Sequence, residues 1–184
     1  MAELPWSSAT VELGELSPAR QVGLRLHPPF PAYLAGVPLP LAPNRVTAMG
    51  PLRALWLGPD EWLLVAEGDA LDLVPRLERA VMGRRAAVND LSSNRRIIEI
   101  GGSAARDLLA AGCGLDLHPR AFGPGHCAQT LLARVPVILD QLDEAPHYRI
   151  LVRRSYARWL VDWLIDAVEG LVEAVTVRVG TGQR

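Results

Sequence analysis

The stretch Arg53–Val65 sets the architecture of this chain, and it reads Arg-Ala-Leu-Trp-Leu-Gly-Pro-Asp-Glu-Trp-Leu-Leu-Val. Two runs of apolar and aromatic residues flank a Gly-Pro-Asp segment at residues 58–60, and these are residue types that turns favour. Runs of this kind separated by a short turn are typical of antiparallel hairpins. We therefore predict a β-hairpin with strands over Arg53–Leu57 and Glu61–Val65.

Helix and strand patterns alternate from this hairpin to the end of the chain. Helical spacing predicts a helix over Asp69–Met82, a short one ending at Gly112 and a long one from Ser155. The long helix is expected to bury the stripe Tyr156, Trp159, Leu160, Trp163, Leu164 and Ala167. Further strands are predicted at Ala87–Leu91, Arg96–Ile100, Ala128–Leu132, Val135–Leu139, Tyr148–Val152 and Val175–Val179. The predicted strands Ala87–Leu91 and Arg96–Ile100, for example, form a pair joined by a short turn. Because strands arrive in such pairs, the pattern indicates an α+β fold with mixed, mostly antiparallel sheets and flanking helices.

The first 45 residues differ in pattern from the rest. Residues 1 to about 20 are expected to form an arm with little core of its own, and seven of the chain's 15 prolines lie between residues 28 and 51. Proline fixes φ and removes a backbone donor, so this region is expected to run as an extended loop over the surface. We predict an N-terminal arm and proline-rich strap over residues 1–45 and a single α+β domain over residues 46–184. The strap either binds a partner or is an ordinary long loop packed on its own domain.

The composition excludes several classes of protein. With 49% hydrophobic residues and a net charge of −1, the chain is not disordered, and the balance of 19 basic and 20 acidic residues disfavours nucleic-acid binding. All 19 basic residues are arginine, which reflects either codon bias or a surface suited to bidentate pairing with a protein partner. There is no long apolar segment, Met1–Pro5 lacks the start of a signal peptide, and two cysteines are too few for a secreted framework. We therefore expect a cytoplasmic protein that does not enter a membrane.

Motifs for the common catalytic chemistries are absent from the sequence. No P-loop, Gly-x-Gly-x-x-Gly fingerprint, Gly-x-Ser-x-Gly elbow or His-Glu-x-x-His pair occurs. The best candidates for zinc ligands are Cys113, His118, His126 and Cys127, but their spacings match no common zinc pattern. The alternative is that both cysteines are buried apolar groups and that His118 hydrogen-bonds the backbone. We accordingly predict no catalytic, cofactor-binding or metal-binding residue in this chain.

Three further segments carry a family resemblance. The longest is Cys113–Thr130, which reads Cys-Gly-Leu-Asp-Leu-His-Pro-Arg-Ala-Phe-Gly-Pro-Gly-His-Cys-Ala-Gln-Thr, and the others are Leu57–Leu64 and Leu151–Leu160. All three closely resemble the gamma subunit of heterotetrameric sarcosine oxidase. The resemblance extends over about residues 50–168, and the long central run makes it specific.

A more distant likeness is to the folate-dependent aminomethyltransferases of the glycine cleavage system. It is carried by Asp90-Leu-Ser92 and by Gly102–Ala105. The folate-binding α+β domain of that family agrees with the predicted fold. Those enzymes have a Gly-Gly loop before an acidic catalytic residue, whereas the hairpin here reads Ala133-Arg-Val-Pro136 and is followed by Asp140. The resemblance therefore implies an altered catalytic loop.

The sarcosine oxidase resemblance implies a non-catalytic structural subunit of an oxidoreductase. In that family the whole complex oxidatively demethylates sarcosine to glycine, giving hydrogen peroxide and formaldehyde or methylene-tetrahydrofolate. The resemblance assigns FAD, FMN, NAD and the tetrahydrofolate site to the alpha and beta subunits and zinc to the delta subunit. The implied partners are thus the alpha, beta and delta subunits. The alternative is a stand-alone folate-binding protein of the aminomethyltransferase type.

A subunit should have a surface that is apolar or arginine-rich beyond what its own packing explains. Loop position and composition point to the strap and to the loop from His118 to His126, with Arg120 and Phe122 projecting from it. The predicted subunit contacts are Pro28, Pro29, Phe30, His118, Arg120 and Phe122.

Overall fold

The computed structural model describes residues 4–17, 19–68, 70 and 72–180. Within these residues the chain forms thirteen strands and three helices. The strands are β1 Trp6–Ser7, β2 Glu12–Glu15, β3 Ala19–Leu26, β4 Tyr33–Leu34, β5 Val37–Pro38, β6 Val46–Met49, β7 Leu52–Gly58, β8 Glu61–Glu67, β9 Ala86–Asp90, β10 Arg95–Gly101, β11 Cys127–Leu132, β12 Val135–Gln141 and β13 Tyr148–Arg153. The helices are α1 Leu73–Ala80, α2 Ala105–Gly112 and α3 Arg154–Gly180.

The strands form two large sheets and one small hairpin. A six-stranded sheet has the order β1-β2-β10-β13-β12-β11, and a five-stranded sheet has the order β6-β7-β8-β3-β9. Strands β4 and β5 pair with each other alone. Every pairing in the described part of the chain is antiparallel. The predicted α+β class with mostly antiparallel sheets is confirmed.

The hairpin predicted around residues 58–60 lies at the centre of the five-stranded sheet. Strands β7 and β8 pair with Trp56 opposite Trp62, and a bulge between Trp56 and Gly58 leads into the turn. The indole of Trp62 is 1% exposed and donates from Nε1 to the carbonyl oxygen of Pro40 at 2.8 Å. A buried indole needs such an acceptor, so the strap helps to hold the hairpin in place.

The two sheets pack face to face, and each is covered on its outer face. The cluster between them contains Leu55, Leu63 and Val65 from the five-stranded sheet and Ile97, Cys127, Ile138 and Leu151 from the six-stranded sheet. On the outer face of the six-stranded sheet, α2 and α3 close the largest apolar cluster. On the outer face of the five-stranded sheet, α1 and the strap close a third cluster. Because alternate residues of a strand point to opposite faces, both sheets are apolar on both sides where they are covered.

The N-terminal arm contributes more to the core than the sequence indicated. Strand β3 lies between β8 and β9 inside the five-stranded sheet, and β2 pairs with β10 in the six-stranded sheet. Within residues 1–20, Val11 and Leu13 are buried in the cluster under α2 and α3, and full burial of such a side chain stabilises the fold by about 1.5–3 kcal/mol. The expectation that this segment has little core of its own is therefore wrong. The division of the chain at residue 45 stays a prediction.

Strands β9 and β10 do not form the hairpin that their short connection suggested. Strand β9 pairs with β3 in the five-stranded sheet, whereas β10 pairs with β2 and β13 in the six-stranded sheet. The positions of both strands along the chain are as predicted, but the partners are not. The polar link at residues 91–94 carries the chain from one sheet to the other.

Helix α3 differs from the prediction in its length and in its buried face. It continues to Gly180, so the strand predicted at Val175–Val179 is wrong. The alternating valines favour a strand, but no proline interrupts residues 154–180, and each residue added to an existing helix gains a hydrogen bond. The buried stripe is Ala157, Leu160, Val161, Leu164, Ile165 and Val168. This stripe leaves Trp159 50% exposed, which corrects the expectation that it packs in the core.

Candidate subunit interface

The start of the strap has an exposed part and a packed part. Pro28 and Pro29 are exposed, and the carbonyl oxygen of Pro29 accepts a hydrogen bond from Nη1 of Arg84 at 3.3 Å. The ring of Phe30 packs edge-on against Trp62, with ring centroids 5.3 Å apart. The strap also buries Leu34, Val37 and Leu39 in the cluster of the five-stranded sheet. These contacts favour a long loop packed on its own domain, although Tyr33 and Leu41 are exposed as well as the two prolines.

The loop from His118 to His126 also divides into exposed and buried residues. His118 and Arg120 are exposed, and the backbone N–H of Arg120 donates to Nδ1 of His118 at 3.2 Å. Phe122 is 4% exposed and belongs to the apolar cluster under α2 and α3. Phe122 therefore does not project, and the prediction that it does is wrong. Burial of a phenyl ring in an apolar cluster is favourable relative to its exposure to water, so Phe122 anchors the loop.

The base of this loop is fastened to the end of the strap. Nη1 of Arg45 lies 2.5 Å from Nε2 of His126, and because a guanidinium only donates, Nε2 is the acceptor. In the neutral ring the proton is then on Nδ1, which donates to the carbonyl oxygen of Gly123 at 3.0 Å. The backbone adds bonds from Val46 N to Gly125 O and from Cys127 N to Asn44 O. The strap and the loop are thus joined at residues 44–46, while Pro28 and Pro29 lie at the other end of the strap.

The residues considered as zinc ligands do not come together. Among the described residues there is no group of three or more potential metal ligands. Cys113 lies in the cluster under α2 and α3, whereas Cys127 lies between the sheets, so the two thiols are on opposite faces of the six-stranded sheet. The Cys127 thiol contacts the carbonyl oxygen of Trp56 at 3.5 Å, and burial raises its pKa to about 12. A thiol that stays protonated in this way is a poor nucleophile and a poor metal ligand.

Asp140, which follows the altered hairpin, is held in a buried ion pair. Arg53 donates to both carboxylate oxygens at 2.7 Å, and the side chain of Asp140 is 1% exposed. Burial raises the pKa of Asp140, and the hydrogen bonds from Arg53 oppose this effect. Arg53 belongs to the five-stranded sheet and Asp140 to the six-stranded sheet, so the pair crosses the interface between the sheets. With both oxygens occupied, this carboxylate is placed to join two sheets and not to act as a general base.

A second buried arginine makes a similar crossing. Arg149 donates from Nη2 to Glu67 at 2.5 Å and from Nε to Glu99 at 2.9 Å, and Glu67 is in the five-stranded sheet. Burial alone would lower the pKa of Arg149, but the hydrogen bonds to the two glutamates outweigh it and raise the pKa. The two charged residues that are buried in the described part of the chain, Asp140 and Arg149, are therefore both paired across or along the sheets.

Sequence reasoning missed an aromatic pair on the outer surface of α3. Tyr156 is 44% exposed and Trp159 is 50% exposed, and they lie one helical turn apart. Exposed tyrosine and tryptophan are enriched among the residues that contribute most to protein interfaces. The helix has two possible buried stripes, and the one that is shifted by one position from the predicted stripe is purely aliphatic. A comparison of the two could have shown that Tyr156 and Trp159 are exposed. Trp163, by contrast, packs on the core and lies against Gly112.

None of the helices in the described part of the chain combines the length and apolar character needed to span a bilayer.

The fold is similar to that of an aminomethyltransferase. A chain of glycine cleavage system aminomethyltransferase T from Bartonella henselae shares the fold with a TM-score of 0.63, over 85% of this chain and 46% of that chain. The sequence identity is 18%, so this likeness shows the fold alone.

The sequence comparisons identify the family. The model of the family described as "Sarcosine oxidase, gamma subunit family" matches residues 29–170. Sarcosine oxidase subunit gamma of Corynebacterium sp. (strain P-1) is 39% identical over 88% of this chain and 82% of that protein. The protein of the same name from Corynebacterium sp. (strain U-96) is 40% identical over 86% of this chain and 79% of that protein. This chain belongs to the sarcosine oxidase gamma subunit family.

A solved structure matches at the same level. A chain of heterotetrameric sarcosine oxidase from Corynebacterium sp. U-96, in complex with pyrrole 2-carboxylate, superimposes with a TM-score of 0.81. It is 40% identical and is aligned over 87% of this chain and 84% of that chain. The family resemblance stated from the sequence is confirmed.

Proposed function

We propose that this chain is a non-catalytic structural gamma subunit of a heterotetrameric sarcosine oxidase, a complex that oxidatively demethylates sarcosine to glycine. One observation carries the proposal: the superposition at a TM-score of 0.81 and 40% identity on a chain of such a complex. The products that the family implies besides glycine are hydrogen peroxide and formaldehyde or methylene-tetrahydrofolate.

The interior of the chain supports a structural role. Its buried carboxylate at Asp140 is paired at both oxygens, and its two free thiols, Cys113 and Cys127, are buried on opposite faces of one sheet. Catalytic groups need access to a substrate and a suitable pKa. The Cys127 thiol, with a pKa of about 12, is far from that condition.

Within the proposed complex the partners are the alpha, beta and delta subunits. We assign FAD, FMN, NAD and tetrahydrofolate to the alpha and beta subunits and zinc to the delta subunit. The contacts proposed for this chain are Pro28, Pro29, His118 and Arg120, with Phe30 and Phe122 anchoring their loops from inside. We propose a cytoplasmic complex, which the unpaired state of both cysteines supports.

Co-purification tests the assembly. The tagged chain is expressed together with the other subunits of the same organism, and flavin absorbance is measured in the eluate. We expect flavin-containing subunits in a fixed ratio to this chain. Recovery of the chain as a lone monomer from those cells would contradict the proposal.

A folate titration separates the alternative of a stand-alone folate-binding protein. The isolated chain is titrated with tetrahydrofolate by calorimetry, and no binding at micromolar concentration is expected. Micromolar binding in the absence of partners would instead favour the aminomethyltransferase-like function.

A further inference from the structure

The inner face of the six-stranded sheet is only partly covered by the five-stranded sheet. Strand alternation places Gln129 and Leu131 on the same face as the buried Cys127, and it places Arg153 on the same face as Leu151. The cover ends where Nε2 of Gln129 donates to the carbonyl oxygen of Leu57 at 2.7 Å, next to the β7–β8 turn. Beyond that point lies an open cleft of about 540 Å³, which we call the Arg95–Arg153 cleft.

Two arginines lie side by side on the wall of this cleft. Arg95 on β10 is directly opposite Arg153 on β13, an arrangement in which like charges repel. Neither is among the ion pairs found between described residues. Nη1 of Arg95 is buried and has no hydrogen-bond partner among the residues that the structure describes. A buried unpaired donor is costly, so this site has a strong capacity for an anion.

The charged groups around Arg95 also favour the binding of an anion at this site. Burial lowers the pKa of Arg95, the charge of Arg153 lowers it further, and Glu61 opposes both effects from a distance. Glu61 is itself bound to Arg25 at 2.6 Å. Glu61, the acidic side chain whose charge acts on Arg95, is therefore already paired, and the cleft keeps its positive charge.

The rest of the cleft is apolar. Leu131 is 55% exposed in a wall that also contains Pro136, and Ile138 and Leu151 form the inner end. A free small carboxylate would pair with the arginines but leave Leu131 in water. A protein segment with an acidic and an apolar side chain would satisfy both parts of the surface.

We propose that the Arg95–Arg153 cleft receives a segment of a partner subunit, with a carboxylate between the two guanidinium groups and an apolar side chain on Leu131. The inference rests on the proposed function, since it requires the chain to be a subunit. It adds a surface and a partner chemistry that the strap and the His118 loop do not include.

Charge reversal and a matched control test the electrostatic part. Arg153→Glu is compared with Arg85→Glu, which changes an exposed arginine in the bend just before β9. Each tagged variant is co-expressed with the other subunits, and their recovery per mole of tagged chain is measured. We expect about a 10-fold or greater loss for Arg153→Glu and no loss for Arg85→Glu, since buried arginine pairs contribute strongly to interfaces.

A second pair tests the apolar part. Leu131→Asp removes the apolar wall, and Met82→Asp places the same charge at a residue that is 79% exposed near the end of α1. Only Leu131→Asp is expected to reduce recovery. Both positions are solvent-exposed, so all four variants should keep the circular dichroism spectrum and the Tm of the unchanged chain. Hydrogen exchange on the complex should show new protection of the amides of Cys127–Leu132.

Three outcomes would overturn the proposal. Equal recovery with all four variants would show that the cleft is not a contact, while the proposed function would stand. Failure of the unchanged chain to recover any other subunit would remove the proposed function and this inference together. Binding of succinate by the isolated chain, lost in Arg153→Glu, would assign the cleft to a free carboxylate and not to a partner.

Discussion

The two faces of the six-stranded sheet are built in different ways. On the outer face, α2 and α3 pack against the sheet through an apolar cluster that includes Leu108, Leu160 and Leu164. On the inner face, the five-stranded sheet covers one part, with charged pairs such as Arg53–Asp140 buried in it. In the cleft beyond it, Nη1 of Arg95 has no hydrogen-bond partner among the described residues. The outer face of the six-stranded sheet is thus covered by helices of the same chain. The inner face is complete only where the chain's own second sheet reaches it.

The largest effect is expected from breaking the buried ion pair of the inner face. Asp140→Ala leaves Arg53 buried without its carboxylate, and we expect a loss of about 3–5 kcal/mol in the free energy of unfolding. Urea denaturation measures this loss. The double variant Arg53→Met with Asp140→Leu should be close to the unchanged chain, because a buried pair replaced by apolar groups of similar volume costs little.

The exposed pair Arg25–Glu61 is the control for this prediction. Its nitrogen and oxygen are 2.6 Å apart, but the side chains are 58% and 38% exposed. Such pairs contribute about 0–1 kcal/mol, so Glu61→Ala should have a small effect. An equally small effect of Asp140→Ala would show that the ion pair between Arg53 and Asp140 does not stabilise the packing of the two sheets.

The next effect concerns the outer face. Leu164→Ala removes a fully buried side chain from the apolar cluster, and we expect a loss of about 3 kcal/mol in the free energy of unfolding from lost transfer energy and the cavity. Trp159→Ala on the same helix should cost less than about 1 kcal/mol, because half of that side chain is already in water. A loss for Trp159→Ala as large as that for Leu164→Ala would show that the buried stripe of α3 has been assigned wrongly.

A smaller effect is expected where α2 meets α3. A β-carbon on Gly112 would lie 2.5 Å from Cη2 of Trp163 and 3.2 Å from the backbone nitrogen of Ala133. Gly112→Ala should therefore lower the free energy of unfolding by about 1–3 kcal/mol through overpacking, with a matching fall in Tm. Gly114→Ala is the control, since nothing lies within 4 Å of its added carbon. Equal Tm values for the two variants would mean that the outer face is packed less tightly than its geometry indicates.

The smallest effect is a gain at the hairpin between β11 and β12, next to the cleft. Ala133 and Arg134 have φ of 48° and 69°, the left-handed region in which glycine is least strained. Arg134→Gly should raise the free energy of unfolding by about 0.5–1 kcal/mol. Arg134→Ala keeps the β-carbon and should bring no gain. A gain from alanine as well would assign the effect to the arginine side chain and not to the backbone.

Local features of the fold were predictable from the sequence, and pairing between distant segments was not. The β7–β8 hairpin follows from residues that adjoin its turn, and the prediction is confirmed. Strands β9 and β10 were placed along the chain, but their partners β3 and β13 are far away in sequence. The same limit applies to Arg95 and Arg153, because only the register of two strands makes them neighbours.

The surface was harder to predict than the core. Counting tryptophan as apolar placed Trp159 inside, although the aliphatic stripe one position along the helix was available. Phe122 was expected to project on the basis of loop composition alone, and no periodicity supported it. The candidate zinc ligands do not come together, because Cys113 and Cys127 lie on opposite faces of the six-stranded sheet.

The charged crossings between the sheets also determine how the two layers are aligned. Arg53 reaches Asp140, and at a different point Arg149 reaches Glu67. A single contact between two layers leaves them free to rotate about it, whereas two separate contacts fix both the angle and the offset. A slip of one residue moves a strand by about 3.3 Å, enough to break a bidentate pair. The position of the open end of the inner face is therefore set by geometry within this chain, before any other subunit is bound.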